Sequence, residues 1–130
     1  MVIDHRPAYA DASRFKEGVE VIAARPEELS QHVRLTDITA AMVMSHNLGH
    51  DQVYLEQLLG HDLAYVGVLG PTHRRERLLA QLGKEDAQVH GPAGLDIGAE
   101  LPESIALSIM AEIHAVLNDR TGQPLAGERD

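Results

Sequence analysis

The sequence predicts an α/β protein with an open, mostly parallel sheet and helices on both faces. Two continuous apolar runs, residues 40–44 and 64–69, have the length and composition of strands buried on both faces. A segment with helical spacing follows each run, and strands alternating with helices are typical of parallel strands joined by crossovers. With one Phe, three Tyr and no Trp, the core must be built from aliphatic side chains, which suits such a sheet.

Turn and cap residues predict the other elements. Val2 and Ile3 read as the end of a buried strand that enters a loop at Asp4, and Pro26 opens a helix. Gly60 and Gly83 each close a helix. The predicted order is a strand ending at residue 3, a strand at 19–23, a helix at 26–33, a strand at 40–44, a helix at 50–59, a strand at 64–69, a helix at 71–82, a loop at 84–93 and a helix at 102–118.

The last helix is the best-marked element. Gly94 and Gly98 flank Asp96, which is expected to bond its own loop, and Pro102 has the fixed φ of a first helical position. An apolar stripe then predicts a helix buried against the sheet. Its members are Ile105, Ile109 and Ile113, widened by Ala106, Met110 and Leu117.

Composition excludes several classes of protein. A chain of 130 residues is expected to form one domain, here residues 1–120 followed by a flexible tail at 121–130. Its net charge of −9 argues against nucleic-acid binding. There is no Cys, so the chain has no disulfide, thiolate ligand or Cys nucleophile. No apolar run is long enough to cross a membrane, and we expect a cytoplasmic protein without a membrane partner.

Four motifs carry a resemblance to a known family. They are DHRPAYA (residues 4–10), MVMSHNLGHD (42–51), YVGVLGPTHRRERLL (65–79) and the loop and helix at 94–113. In this order they resemble the C-terminal, Rossmann-like domain of the XdhC/CoxI family, which are accessory factors for molybdenum hydroxylases such as xanthine dehydrogenase. The resemblance implies binding of the molybdenum cofactor (molybdopterin) and its delivery to the hydroxylase partner, the work of a maturation chaperone rather than an enzyme.

In that family the domain begins with a strand and a glycine-rich loop of the GAG type, upstream of the position of Met1. We therefore expect a partial domain, with its first strand and glycine loop missing. Two bare strand edges would then lie in the middle of the sheet, and such edges favour pairing. The chain is expected to form a homo-oligomer, to exchange elements or to be marginally stable, unless the Val2 strand pairs directly with the Ala40 strand.

The candidate site lies at the carboxyl ends of the strands, where parallel sheets bind ligands. The residues that follow the strands there, or join strand to helix, are the predicted cofactor-binding set: Asp4, Arg6, Ser45, His46, Gly67, Gly70, Arg74 and Arg75. Backbone N–H groups after Gly67 and Gly70 could bind an anion, and the two arginines could reach a phosphate.

Simpler interpretations of these residues stay open. Asp4 either meets a ribose or pairs with Arg6, and Arg74 either meets a phosphate or lies on a solvated helix face. His46, His50 and Asp51 could also be metal ligands, although their spacing matches no zinc pattern. Two functional alternatives remain: an NAD(P)-binding oxidoreductase-like domain, disfavoured because no GxGxxG motif is present, and a fragment without independent activity.

Overall fold

The computed structural model describes residues 1–126, so residues 127–130 of the expected tail lie outside the description. Three single 3₁₀ turns accompany the regular elements, at Ala12–Arg14, Pro26–Glu28 and Leu35–Asp37. The strands and helices are β1 (Val2–Asp4), β2 (Val21–Ala23), α1 (Leu29–His32), β3 (Ala40–Val43), α2 (Leu48–Leu59), β4 (Tyr65–Val68), α3 (Thr72–Leu82) and α4 (Pro102–Leu117). The predicted order of elements agrees with this one, with shifts of a few residues at the ends.

The strands form two parallel pairs. β1 pairs with β2, with Ile3 opposite Ile22, and β3 pairs with β4, with Met42 opposite Gly67. Within residues 1–126, β1 and β3 are not hydrogen-bonded to each other. The alternative in which the Val2 strand closes the sheet by pairing with the Ala40 strand is therefore wrong.

A cleft separates the two strand pairs, and we call it the central cleft. Its volume is about 730 Å³, and it is lined along one side by β1 and along the other by β3. Apolar side chains from α1, α2 and the loop between β2 and β3 contribute to its walls, among them Leu29, Val33, Leu35, Ile38 and Leu58. The cleft lies where a further strand would join the two pairs into one sheet.

Helices cover both faces of the β3–β4 pair. Val66 and Val68 belong to the main core together with Leu55 of α2 and Leu78 of α3. Successive side chains of a strand point to opposite faces, so the Tyr65 side chain lies on the face opposite to Val66 and Val68. There its hydroxyl donates to Glu112 of α4 at 2.7 Å.

A polar cluster fastens α4 to this second face. Glu112 Oε1 accepts hydrogen bonds from the Tyr65 hydroxyl at 2.7 Å and from the Gly94 backbone N–H at 2.9 Å. His90 stacks on the Tyr65 ring with centroids 4.4 Å apart, and its Nδ1 lies 3.5 Å from the same carboxylate oxygen. The Glu112 carboxylate therefore ties α4 and the loop before it to β4.

The predicted width of the apolar stripe on α4 is wrong. Met110 and Leu117 are 62% and 45% exposed, and Ala106 is exposed as well. Ser108 is the buried residue of this helix among those described. The helix covers a pair of strands rather than a wide sheet, so only a narrow stripe along it is in contact.

Alkaline pH is expected to destabilise the protein through Tyr65. Burial and the hydrogen bond to Glu112 raise the pKa of Tyr65 above its ordinary value of 10.0. Because folding raises this pKa, the stabilisation that results is fully present below the pKa that tyrosine has in the unfolded chain. It is lost as the pH rises above about 10. The free energy of unfolding, measured in urea, should therefore fall between about pH 9 and about pH 11. In the Tyr65→Phe variant the free energy of unfolding should fall less over the same range. Tyr9→Phe, at an exposed tyrosine, is the matched control and should keep the wild-type slope.

Candidate functional site

A small pocket lies at the carboxyl ends of β3 and β4, and we call it the carboxyl-edge pocket. Its volume is about 240 Å³. The lining residues come from the segments after the two strands and from the starts of α2 and α3: Met44, His46, Asp51, Leu69, Gly70, Pro71 and Arg74. Met44 and His46 also line the central cleft, so the two cavities share a wall.

A buried carboxylate organises this pocket. Asp51, in the first turn of α2, is only 1% exposed. Its Oδ1 accepts hydrogen bonds from the Ser45 backbone N–H at 3.1 Å and from the Ser45 hydroxyl at 2.5 Å. Its Oδ2 accepts from Arg74 Nη2 at 2.5 Å. Both carboxylate oxygens are thus in use, and the role of Asp51 is to hold Ser45 and Arg74 in fixed positions.

The backbone between β3 and α2 is strained at the pocket. His46 has a φ of 63°, in the left-handed region that residues with a side chain rarely adopt. Such a conformation costs about 1–3 kcal/mol and persists only where surrounding contacts impose it. Here the next residue, Asn47, caps α2 by accepting the His50 N–H at 2.9 Å. The imidazole of His46 is exposed and borders both cavities.

The junction between β4 and α3 forms the opposite wall. Gly70 has a φ of 112°, and a Cβ at this position would stand 2.8 Å from Arg74 Cδ. Glycine therefore allows the Arg74 side chain to fold back across the start of α3. The backbone N–H groups of Thr72 and His73, at the start of this helix, have no intrahelical acceptors and point out at the same end, whereas that of Arg74 donates to the Pro71 carbonyl at 3.0 Å.

Asp4 and Arg6 pair with each other at the mouth of the central cleft. Arg6 Nε and Nη2 donate to the two carboxylate oxygens of Asp4 at 3.0 and 2.9 Å. The hydrogen bond from Arg6 holds the pKa of Asp4 below its ordinary value. The Arg6 guanidinium also lies 3.9 Å from the centre of the Tyr9 ring. Of the two interpretations left open for Asp4, the structure shows the ion pair.

Gly67 and Arg75 of the predicted set line neither the carboxyl-edge pocket nor the central cleft. Arg75 points toward the loop after α3, where it donates to the carbonyl oxygens of Ala87 and Val89. Gly67 lies inside β4 and is packed between Met42 and Tyr65. Ser45, His46, Gly70 and Arg74 do come together, while Asp4 and Arg6 stand beside the neighbouring cleft.

No group of three or more His, Asp or Glu residues is placed to hold a metal ion anywhere in residues 1–126. Asp51, the carboxylate of the proposed metal alternative, is engaged by Ser45 and Arg74. His50 has a buried Nδ1 without a hydrogen-bond partner in the same range, and its ring meets that of His5 edge-on, with the ring centroids 4.7 Å apart.

None of the helices described is long and apolar enough to span a membrane.

The sequence reasoning missed the role of Asp51. An acidic residue in the first turn of a helix is already explained by the helix dipole, which is a local effect and points to no distant partner. The actual partner of Asp51, Arg74, is 23 residues away in the sequence. A usable signal did exist, because Ser45 and Asp51 follow one strand, Arg74 follows the next, and the carboxyl ends of neighbouring parallel strands meet at one edge.

Comparisons with known proteins agree with this fold. Residues 1–113 match the family model described as the XdhC Rossmann domain. The chain is 40% identical over 114 residues to a Bacillus subtilis protein named as a probable xanthine dehydrogenase subunit, covering 87% of this chain and 34% of that protein. An uncharacterised Escherichia coli protein, YqeB, is 29% identical over 117 residues, which are 85% of this chain and 19% of YqeB.

A solved structure gives the same result. The crystal structure of a xanthine dehydrogenase from Bacillus halodurans superposes with a TM-score of 0.78 at 30% identity. The match covers 98% of this chain and 37% of the solved chain. This chain thus spans about a third of the length of that protein and of the Bacillus subtilis relative. The Rossmann-like α/β fold predicted from the sequence is confirmed.

Proposed function

This chain belongs to the family of XdhC Rossmann domains, and from that premise we propose that it serves as an accessory factor for a xanthine dehydrogenase-type molybdenum hydroxylase. Its task would be to hold the molybdenum cofactor as cargo for insertion into the hydroxylase. The observation that carries the proposal is the carboxyl-edge pocket, in which a buried carboxylate fixes an arginine at the start of a helix.

The pocket suits the phosphate group of molybdopterin. Arg74 uses Nη2 on Asp51, and its other guanidinium N–H groups remain for an anion. The first turn of α3 adds backbone N–H donors and the positive end of a helix dipole. Because Asp51 is fully engaged and rigid, Arg74 would meet a phosphate without losing side-chain entropy on binding.

The pocket is too small for the whole cofactor. At about 240 Å³ it falls below the 300–1,000 Å³ of sites that enclose a complete small molecule. The pterin would therefore extend past Met44 and His46 into the central cleft, which shares these two residues. No Cys occurs in these 130 residues, so none of them can offer a thiolate to molybdenum.

The test is a conservative substitution of the arginine. Arg74→Lys keeps a cation beside Asp51 but removes the forked donors, so the fold should persist while phosphate binding weakens. One lost charge-assisted hydrogen bond is worth about 1.5–3 kcal/mol, which corresponds to a roughly 10- to 150-fold weaker affinity. Calorimetric titration with an oxidised pterin phosphate derived from molybdopterin measures the effect, and the same pterin without phosphate should bind both proteins equally.

Arg77→Lys is the matched control, since Arg77 lies on the exposed side of the same helix. Its affinity for the pterin phosphate should equal that of the wild type. Equal affinities for Arg74→Lys and the wild type would refute the assignment of the phosphate to this pocket.

A further inference from the structure

We propose that His46 contacts the metal-oxo group of the cargo, so that this chain binds molybdopterin that carries molybdenum in preference to molybdopterin without the metal. The proposal rests on the proposed function, because it takes the phosphate to lie against Arg74. It adds a contact residue and a preference between two forms of the cargo. The observation behind it is an exposed imidazole at the wall of the carboxyl-edge pocket.

Side chains that donate hydrogen bonds are scarce in this pocket. Among the described residues that line it, Arg74 and His46 carry such donors. The rest of the lining is apolar, apart from a glycine and the Asp51 carboxylate, which only accepts. Arg74 and the N–H groups at the start of α3 serve the phosphate. The donor on His46 is therefore left for a second acceptor on the same ligand.

The turn that contains His46 is attached to α2 on both sides. Ser45 donates its N–H and its hydroxyl to Asp51, and Asn47 accepts the His50 N–H at 2.9 Å. The Asn47 N–H also donates to Ser45 Oγ at 3.2 Å, which closes the turn. These contacts fix the backbone of His46. Its imidazole takes part in no hydrogen bond or ion pair within residues 1–126.

A histidine at this position gives the fold little in return for its strain. Its φ of 63° lies in the left-handed region, which glycine adopts freely. The exposed imidazole makes no polar contact in the described chain that would offset the cost. Strained residues of this kind cluster at ligand sites. The side chain is therefore better explained by a ligand in the pocket than by the stability of the turn.

The covalent structure of molybdopterin determines which group lies next to the phosphate. The phosphate arm and the dithiolene belong to the same pyran ring, and the carbon that bears the arm is bonded directly to a dithiolene carbon. The pterin is fused to the far edge of that ring. Molybdenum held by the dithiolene sulfurs carries oxo groups, which accept hydrogen bonds. With the phosphate at Arg74, these oxo groups are the strongest acceptors beside it.

Histidine suits an oxo group better than the other exposed side chain at this wall. An imidazole presents an N–H donor whichever ring nitrogen holds the proton. Met44, which is 58% exposed, offers only a weakly accepting sulfur. A hydrogen bond to a charged oxygen is stronger than one between neutral groups. Metal-free molybdopterin has no such oxygen beside its phosphate arm, so the molybdenum form should bind more tightly.

Anaerobic binding to the full 130-residue chain tests the proposal. The probes are the molybdenum cofactor and metal-free molybdopterin. Ultrafiltration separates free from bound probe, and the pterin is quantified by fluorescence after oxidation. We expect the wild type to bind the molybdenum form roughly tenfold more tightly or better, which is the effect of one hydrogen bond to a charged group. His46→Gly should lose this preference and keep the wild-type affinity for metal-free molybdopterin.

Asp119→Gly is the matched control. Asp119 is the other residue with a side chain and a positive φ in residues 1–126, at 53°, and it lines neither cavity. Both glycine variants relieve backbone strain, so their unfolding midpoints in urea should be no lower than that of the wild type. Asp119→Gly should keep the preference for the molybdenum form.

A vibrational measurement reports the contact directly. The molybdenum–oxygen stretch of the bound cofactor, read by resonance Raman spectroscopy, should lie at lower frequency in the wild type than in His46→Gly. The reason is that a hydrogen bond to the oxo group weakens the metal–oxygen bond. A purely structural role of His46 would leave this frequency unchanged.

The remaining outcomes separate this proposal from the proposed function. If Arg74→Lys binds both probes like the wild type, the phosphate lies elsewhere and both proposals fail. If Arg74→Lys weakens both probes while His46→Gly weakens neither, only the contact of His46 with the metal-oxo group is wrong. Equal weakening of both probes by His46→Gly would also overturn it, since His46 would then contact the phosphate or the pterin.

Discussion

Replacing Asp51 with Ala is expected to lower the free energy of unfolding by about 3–5 kcal/mol, because removal of one member of a buried ion pair leaves the other uncompensated. The side chain is 1% exposed and connects three parts of the chain: the end of β3 through Ser45, its own helix α2, and α3 through Arg74. Urea unfolding measures the loss. Asp62→Ala, at an exposed carboxylate, should stay within about 0.5 kcal/mol of the wild type.

A double-mutant cycle identifies the cause of this loss. Arg74→Met removes the cation but keeps much of the apolar stem, and in the Asp51→Ala background it should cost less than it does alone. The expected coupling is at least about 1 kcal/mol, within the range for residues that share one hydrogen-bond network. Additive effects, or an Asp51→Ala variant as stable as the Asp62→Ala control, would show that the buried pair does not organise the pocket.

The sequence predicted the fold well where one physical signal dominates. β3 and β4 were found because each is a continuous apolar run, and the last helix because Pro102 marks its start. The second strand was predicted at 19–23 and is Val21–Ala23. A strand of this length is too short for a clear pattern of apolar residues, and its pairing with β1 decides where it begins.

Helix rotation explains why the site was only partly predicted. Arg74 and Arg75 are adjacent, but consecutive helical residues point about 100° apart. One guanidinium therefore reaches Asp51, and the other reaches the loop after α3. The partner of Glu112 could not be read from local sequence, since Tyr65 is 47 residues away. Contacts over such separations follow from the sheet order and from the face of each helix that meets it.

The second large effect is expected at Gly67, the glycine inside β4. A Cβ there would stand 2.7 Å from Met42 Sδ, 2.8 Å from Tyr65 Cε1 and 2.9 Å from the Tyr65 hydroxyl. The Met42 side chain can move aside at little cost because it is flexible and borders the central cleft. The Tyr65 ring cannot, because it is 1% exposed, stacked on His90 and bonded to Glu112.

Gly67→Val should therefore destabilise the protein by about 1–3 kcal/mol or somewhat more, the range for overpacked sites. The loss of stability should be concentrated in α4. Displacement of Tyr65 breaks its hydrogen bond to Glu112, so amide exchange in α4 should accelerate more than exchange in α2 or α3. Gly60→Ala is the control, since the nearest atom to its added Cβ is a backbone oxygen at 3.4 Å, an ordinary contact. Uniform acceleration across all three helices would mean that Tyr65 does not transmit the strain, and that α4 is held to β4 by other contacts.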